Sequence, residues 1–201
     1  MKLYFAPNTR AVRVAWLLEE LGLEYELERF TLGSPEMRAS EYLKVHPMGR
    51  VPVLEDGDVR LFESGAILEY ILARHGGGRL RPAPEDPAFP YYLQWFHYAE
   101  GMIMPPINTI TVETILLPPE RRTEINVKRA TKLLGQMLYA VDAALADKPF
   151  LAGDFTAADI MTGSAVISAQ RIGIDLTDKP NLLPYIQRLT LRPAYQKAAA
   201  L

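Results

Sequence analysis

The stretch Arg50-Val51-Pro52-Val53-Leu54, followed one hairpin later by Glu63-Ser64-Gly65-Ala66-Ile67, decides how this chain is read. The first segment is a short apolar strand entered through a Val-Pro bond. A proline that begins a strand cannot donate to the ladder, so it leaves a backbone edge available. X–Pro is also the bond type that adopts cis, and a cis bond here would turn the Val51 N–H and C=O outward. An extended ligand could then pair with them by strand addition. The plainer alternative is a proline starting an edge strand with no ligand. The second segment puts a serine where a helix N-cap belongs, ahead of an apolar face. Its hydroxyl and the N–H groups that follow suit a carboxylate at the positive end of the helix, and Glu63 suits an adjacent ammonium. Carboxylate and ammonium together describe an α-amino acid head group on a peptide-like ligand. Against this stands the simpler reading in which Ser64 only caps its own helix.

Working outward, the first third alternates strand and helix patterns. Lys2–Phe5 reads as a strand ended by Pro7-Asn8. From about Thr9 to Leu21 a helix is predicted, with Val14, Leu17, Leu18 and Leu21 on one face and Gly22 as its C-cap. Glu24–Phe30 alternates as a second strand, and Ser34-Pro35-Glu36 opens a short helix. Val51–Glu55 and Arg60–Phe62 flank Asp56-Gly57-Asp58 as a hairpin. Ser64 to Arg74 reads as a helix closed by Gly76-Gly77-Gly78. The order strand, helix, strand, helix, strand, strand, helix gives a small mixed sheet covered by helices. Residues 79–87 hold Pro82, Pro84 and Pro87 and no periodicity, which marks a linker. Beyond it everything reads as helix: Ala88–Val112, interrupted at Pro105-Pro106, then Glu120–Ala146, a nearly all-apolar Thr156–Ile172, and two short helices. The expected organisation is therefore residues 1–78, a linker at 79–87, and an all-helical domain over 88–201.

Composition narrows the chemistry. The 201 residues carry a formal net charge of -2, which gives no electrostatic case for nucleic acid. Cysteine is absent, excluding a disulfide framework, a Cys-ligated metal and a cysteine nucleophile. Charged residues among positions 1–20 argue against a signal peptide, and no apolar run is long enough to span a membrane. A cytoplasmic protein is expected. The histidines His46, His75 and His97 are far apart and show no metal-binding spacing. Thr156 and Asp159 form a capping box for the buried helix, a structural role. The run Trp95, Phe96, Tyr98, Met102, Ile103, Met104 suits core or interface, and some of it suits an adaptable apolar pocket.

With these pieces in order, the chain resembles the cytosolic glutathione transferase superfamily over essentially its whole length. The Val51-Pro52 turn, Glu63-Ser64-x-Ala66-Ile67, the proline-containing linker and Gly153-Asp154-x-Thr156-x-Ala158-Asp159 carry the likeness. The opening Leu3-Tyr4-Phe5-Ala6-Pro7 is similar to bacterial members. The resemblance implies an α/β, thioredoxin-like N-terminal domain followed by an all-α domain that forms the electrophile-side pocket. It implies glutathione as co-substrate and no metal. Val51 beside cis-Pro52 would pair with the cysteinyl backbone, Glu63 and Ser64 would hold the γ-glutamyl head, and Arg50 would reach the glycyl carboxylate.

The thiol would lie near the first helix, around Asn8, Thr9 and Arg10. There the chain departs from the better-known classes: Ala6 stands where many members have a catalytic serine, and no cysteine is present for a mixed-disulfide route. The Thr9 hydroxyl, the Asn8 amide and the Arg10 guanidinium remain as thiolate donors, with Tyr4 as a rival. The activity implied is attack of the bound thiolate on small apolar electrophiles, with glutathione-dependent peroxide reduction beside it. A non-catalytic glutathione-binding or protein-interaction module is the alternative, and a glutathione-dependent isomerase or dehalogenase a third reading. A homodimer is the family-level expectation, with Ser64–Arg74 and Ala88–Val112 as its contact surface.

Overall fold

β1 (Lys2–Phe5) has Leu3, Tyr4 and Phe5 all buried, as an inner strand covered on both faces must. In the computed structural model, which describes residues 1–201, it pairs in parallel with β2 (Glu26–Arg29) and antiparallel with β3 (Val53–Asp56). β3 in turn pairs antiparallel with β4 (Val59–Phe62), giving the order β2-β1-β3-β4. The parallel pair needs a crossover, which α1 (Ala11–Leu21) supplies. Its buried stripe includes Val14, Leu17, Leu18 and Leu21, and it ends at Gly22 in the left-handed conformation. A 3-10 turn over Pro35–Arg38 leads into α2 (Ser40–Val45), and α3 (Ser64–His75) follows the hairpin. Tyr4, Met37, Tyr42 and Val53 form one core cluster, flanked by Phe30, Val45 and Val51. α1 and α3 pack together and against the sheet. This is the thioredoxin-like arrangement that the resemblance implies.

The helical part comprises α4 (Phe89–Tyr98), α5 (Met104–Thr111), α6 (Glu124–Ala144), α7 (Ser164–Arg171) and α8 (Leu182–Thr190). Pro105-Pro106 does not break the helical path as the sequence suggests. A widened π turn over Ala99–Ile103 resets the register, and the prolines then fall in the first turn of α5, where no intrahelical N–H is required. Another π turn, over Asp159–Gly163, precedes α7. There Gly163 lets α8 approach closely, since a Cβ would lie 2.3 Å from the Leu189 side chain and force it to shift.

Two compact units emerge: Met1–Arg81 with Thr190–Leu201, and Pro82–Leu189. The expected helical stretch over 88–201 thus differs at its end. α9 (Pro193–Ala199) packs on α1, because Tyr195 meets the buried Trp16 edge-on at 4.9 Å and Arg192 grips Glu20 through two bonds of 2.6 and 2.8 Å.

Candidate functional site

The loop from α2 to β3 is braced at His46, Met48, Gly49 and Arg50. His46 is buried; its Nδ1 accepts the Met48 N–H at 3.1 Å and its carbonyl accepts the Gly49 N–H at 2.8 Å. That geometry fixes the neutral tautomer with the proton on Nε2. Gly49 has φ of +59°, and a Cβ there would sit 2.1 Å from the Met37 carbonyl oxygen, so only glycine fits. The Tyr42 hydroxyl donates 2.6 Å to the Arg50 carbonyl. The loop ends in a cis Val51-Pro52 bond, with Arg50 exposed and Val51 half-buried. One sequence expectation changes here. β3 is an inner strand between β1 and β4, not an edge; the Val51 backbone escapes the ladder because pairing begins at Val53, opposite Tyr4 and Phe62.

The start of α3 forms the second part. Glu63 occupies the N-cap position with φ 75° and ψ 110°, and its side chain is exposed. A non-glycine residue there stores on the order of 1–3 kcal/mol, and such outliers gather at functional sites. Ser64 is the first helical residue, not the N-cap the sequence suggested, and it is buried. No side chain caps this helix, and its first backbone bond runs from the Ile67 N–H to the Glu63 carbonyl at 2.9 Å. The N–H groups of Ser64, Gly65 and Ala66 therefore form an open set of donors at the positive end of the helix. Glu63 and Arg50 converge near His46. Burial lowers the imidazole pKa most, the Arg50 charge lowers it further, and the Glu63 charge opposes both.

The third part is the turn into α1. The Thr9 hydroxyl donates 2.7 Å to the Ala6 carbonyl and accepts the Ala11 N–H at 3.2 Å. Asn8 is exposed at φ 61°, a left-handed position that asparagine tolerates. Arg10 is half-buried at the N-cap position of α1. Tyr4, the rival donor, belongs to the sheet. Its hydroxyl donates 3.0 Å to Glu55 Oε2, and its ring lies in the aromatic cluster with Tyr42 and Phe30. Burial holds the phenol above its ordinary range, with Glu55 adding to the shift.

Two residues escaped the sequence reading. His46 shows in the sequence only as a histidine without metal-binding spacing, and nothing there marks it as a brace of this loop. Arg13, on α1, is 2% exposed and donates 3.2 Å to Ser64 Oγ, joining α1 to the opening of α3. Its signal was in the sequence: position 13 is one helical turn before Leu17, so a charge falls on the apolar stripe.

In the helical unit, Trp95, Phe96, Ile103 and Met104 are core residues, whereas Met102 is exposed. A groove of about 500 Å³ between α5 and α6 is lined instead by residues including Pro105, Pro106, Ala130, Leu133, Arg129 and Lys132. No group of three or more His, Cys, Asp or Glu side chains is placed to hold a metal ion. No helix is long and apolar enough to cross a membrane.

Known proteins are similar to this chain in sequence and in fold. The sequence profile of the glutathione S-transferase N-terminal domain matches residues 1–73. Glutathione S-transferase 4 of Zea mays is 33% identical over 93% of this chain and 86% of its own length. Glutathione S-transferase GstB of Escherichia coli strain K12 is 31% identical over 94% of this chain and 92% of its own. Among solved structures, the glutathione-bound theta class glutathione S-transferase of Xanthomonas axonopodis pv. citri superposes with a TM-score of 0.86. It is 27% identical, covering 100% of this chain and 97% of that one.

Proposed function

The chain belongs to the glutathione S-transferase family, and on that premise we propose that its N-terminal unit binds glutathione and activates the thiol for transfer. The γ-glutamyl carboxylate takes the open N–H groups of α3 and the Ser64 hydroxyl, and Glu63 takes the neighbouring ammonium. Val51 pairs with the cysteinyl backbone beside Pro52, and Arg50 reaches the glycyl carboxylate. Extended between these anchors, the ligand presents its sulfur to the turn at Asn8–Arg10. A thiol has a pKa near ~8.5 in water, and a helix N-terminus or a nearby cation lowers it. The thiolate so stabilised attacks a small apolar electrophile or a peroxide, with orientation supplying much of the rate.

The uncapped start of α3 carries this reading: three open N–H groups and a buried hydroxyl beside a carboxylate held at positive φ. Among the proposed thiolate donors, the Thr9 hydroxyl donates to the Ala6 carbonyl at 2.7 Å and so braces the turn that carries Asn8 and Arg10. The proposal extends to the electrophile-binding role of the helical domain, a homodimer and a cytoplasmic location. Titration calorimetry tests its core. Glutathione should bind, and Ser64→Ala or Glu63→Gln should weaken it by roughly tenfold or more, the worth of a hydrogen bond to a charged group. No heat from the unmodified protein at millimolar glutathione would overturn it.

A further inference from the structure

A guanidinium has five N–H donors and no acceptor. Its contact with Ser64 therefore has one possible polarity: Arg13 donates and Ser64 Oγ accepts, at 3.2 Å in a buried setting. A hydroxyl has a single proton, and here that proton cannot be used toward Arg13. Around it stand the open N–H groups of the first turn of α3, which are donors as well. The Arg13 guanidinium and these N–H groups thus all present hydrogen to Ser64, whose own proton is directed away from them. Gly65, the next residue, contributes no side chain.

We propose that Arg13 fixes the direction of the Ser64 proton, making Ser64 an obligate donor to the carboxylate of the ligand head group. Arg13 is in this sense a positioning residue, acting through Ser64. The proposal rests on the glutathione reading above and deepens it by naming what selects the α-carboxylate. A cation behind the hydroxyl also polarises it, strengthening the bond that it donates. Burial matters here, since it limits the water that competes for the hydroxyl: Arg13 is 2% and Ser64 3% exposed. A side chain able to accept would let the serine proton turn inward, and the carboxylate would then face a lone pair.

The experiment compares Arg13→Lys, Arg13→Gln and Arg13→Met against two ligands by titration calorimetry. One ligand is glutathione; the other is γ-aminobutyryl-cysteinyl-glycine, in which hydrogen replaces the α-carboxylate. Lysine donates only, glutamine can accept, and methionine donates nothing and accepts only weakly. Arg13→Gln should lose about tenfold or more in glutathione affinity and Arg13→Lys at most about threefold, while affinity for the analogue stays within about twofold throughout. In a Ser64→Ala background, Arg13→Gln should cause no further selective loss. Equal losses for both ligands would show a merely structural role and overturn the proposal, as would equal losses for lysine and glutamine. Should Arg13→Gln not fold, Arg13→Met against Arg13→Lys carries the same comparison, with the selective loss expected for methionine. Failure of the unmodified protein to bind glutathione would instead remove the reading beneath. Binding that is indifferent to all three substitutions would remove only the role of Arg13.

Discussion

At the turn before α1, one hydroxyl proton decides between candidate donors. Thr9 gives it to the Ala6 carbonyl and accepts the Ala11 N–H, which makes Thr9 a brace for the helix start. Thr9→Val should therefore cost about 1 kcal/mol of stability and leave the thiol of bound glutathione titrating as before. Asn8→Gly keeps the left-handed backbone while deleting the amide, and the proposed role predicts a raised thiol pKa. Ultraviolet thiolate titration checks both; a shift for Thr9→Val alone would return the role to Thr9. Tyr4→Phe removes the bond to Glu55 and the hydroxyl's contact with Lys2, so a loss of about 0.5–1.5 kcal/mol in urea unfolding and an unchanged thiolate band are expected. The sheet placement of Tyr4 was legible, because the strand pattern of Lys2–Phe5 includes it. Val51-Pro52 and Glu63-Ser64 were legible as a proline turn and a helix start, which are local motifs, but the inner position of β3 and the N-cap at Glu63 were not, because pairing partners and φ are set beyond the motif. Arg13 leaves a sign in the sequence, a charge on an apolar stripe, but its role does not, because its partner is 51 positions away. Which Thr9 lone pair or proton faces which group is a matter of rotamer and backbone, and no residue pattern reports it.

Loops and helix starts obey the same accounting of donors and acceptors. The α2–β3 loop is held by Tyr42, His46 and a close approach at Gly49, where φ is positive and a Cβ would meet the Met37 carbonyl. Gly49→Ala should cost at least about 1–2 kcal/mol from the left-handed backbone alone and weaken glutathione binding with it. A thermal midpoint equal to the unmodified protein's would contradict this. At the buried helix, the sequence signal Thr156-x-x-Asp159 stood for more than a cap. The Asp159 carboxylate accepts the Leu151 and Thr156 N–H groups at 3.0 and 2.9 Å, and the Tyr185 and Thr156 hydroxyls at 2.8 and 3.4 Å. Burial nevertheless pushes it up to about 6, against the four bonds that pull it down. A carboxyl whose folded pKa lies above its ordinary value keeps its proton in the native state after the unfolded chain has lost it. Its contribution to stability therefore falls as pH rises from about 4 to about 6, by up to roughly 3 kcal/mol, and is level above that window. Asp159→Asn abolishes this slope. Because other carboxylates titrate in the opposite sense, the measurement is the difference in urea unfolding free energy between the two proteins. That difference should move against the unmodified protein between pH 4 and 7, and a difference independent of pH would refute it.

Across the molecule, the chain ends where it began. α9 returns to α1, and its contacts lie on the helix whose other end carries Arg13 and the turn at Asn8–Arg10. Trp16 is fully buried, donates its indole N–H 2.9 Å to Glu20 and meets Tyr195 edge-on; Arg192 then grips the same carboxylate. The edge-on ring pair is worth about 0.5–1.5 kcal/mol beyond its buried area. A hydrogen bond to a charged group adds about 1.5–3 kcal/mol, discounted because Arg192 is partly solvated. The sequence separated α9 from α1 because a linker of prolines divides chain segments, whereas packing follows the faces of helices wherever the chain brings them. A residue far from every site motif thus acquires a predictable effect on binding. Tyr195→Ala together with Arg192→Met should lower the unfolding midpoint, red-shift the Trp16 emission and weaken glutathione binding, since α1 positions both Arg13 and the thiol-facing turn. Fluorescence-monitored urea unfolding and calorimetry read all three quantities in one preparation. Lower stability with unaltered affinity would show that the anchor of α1 and the site are energetically independent.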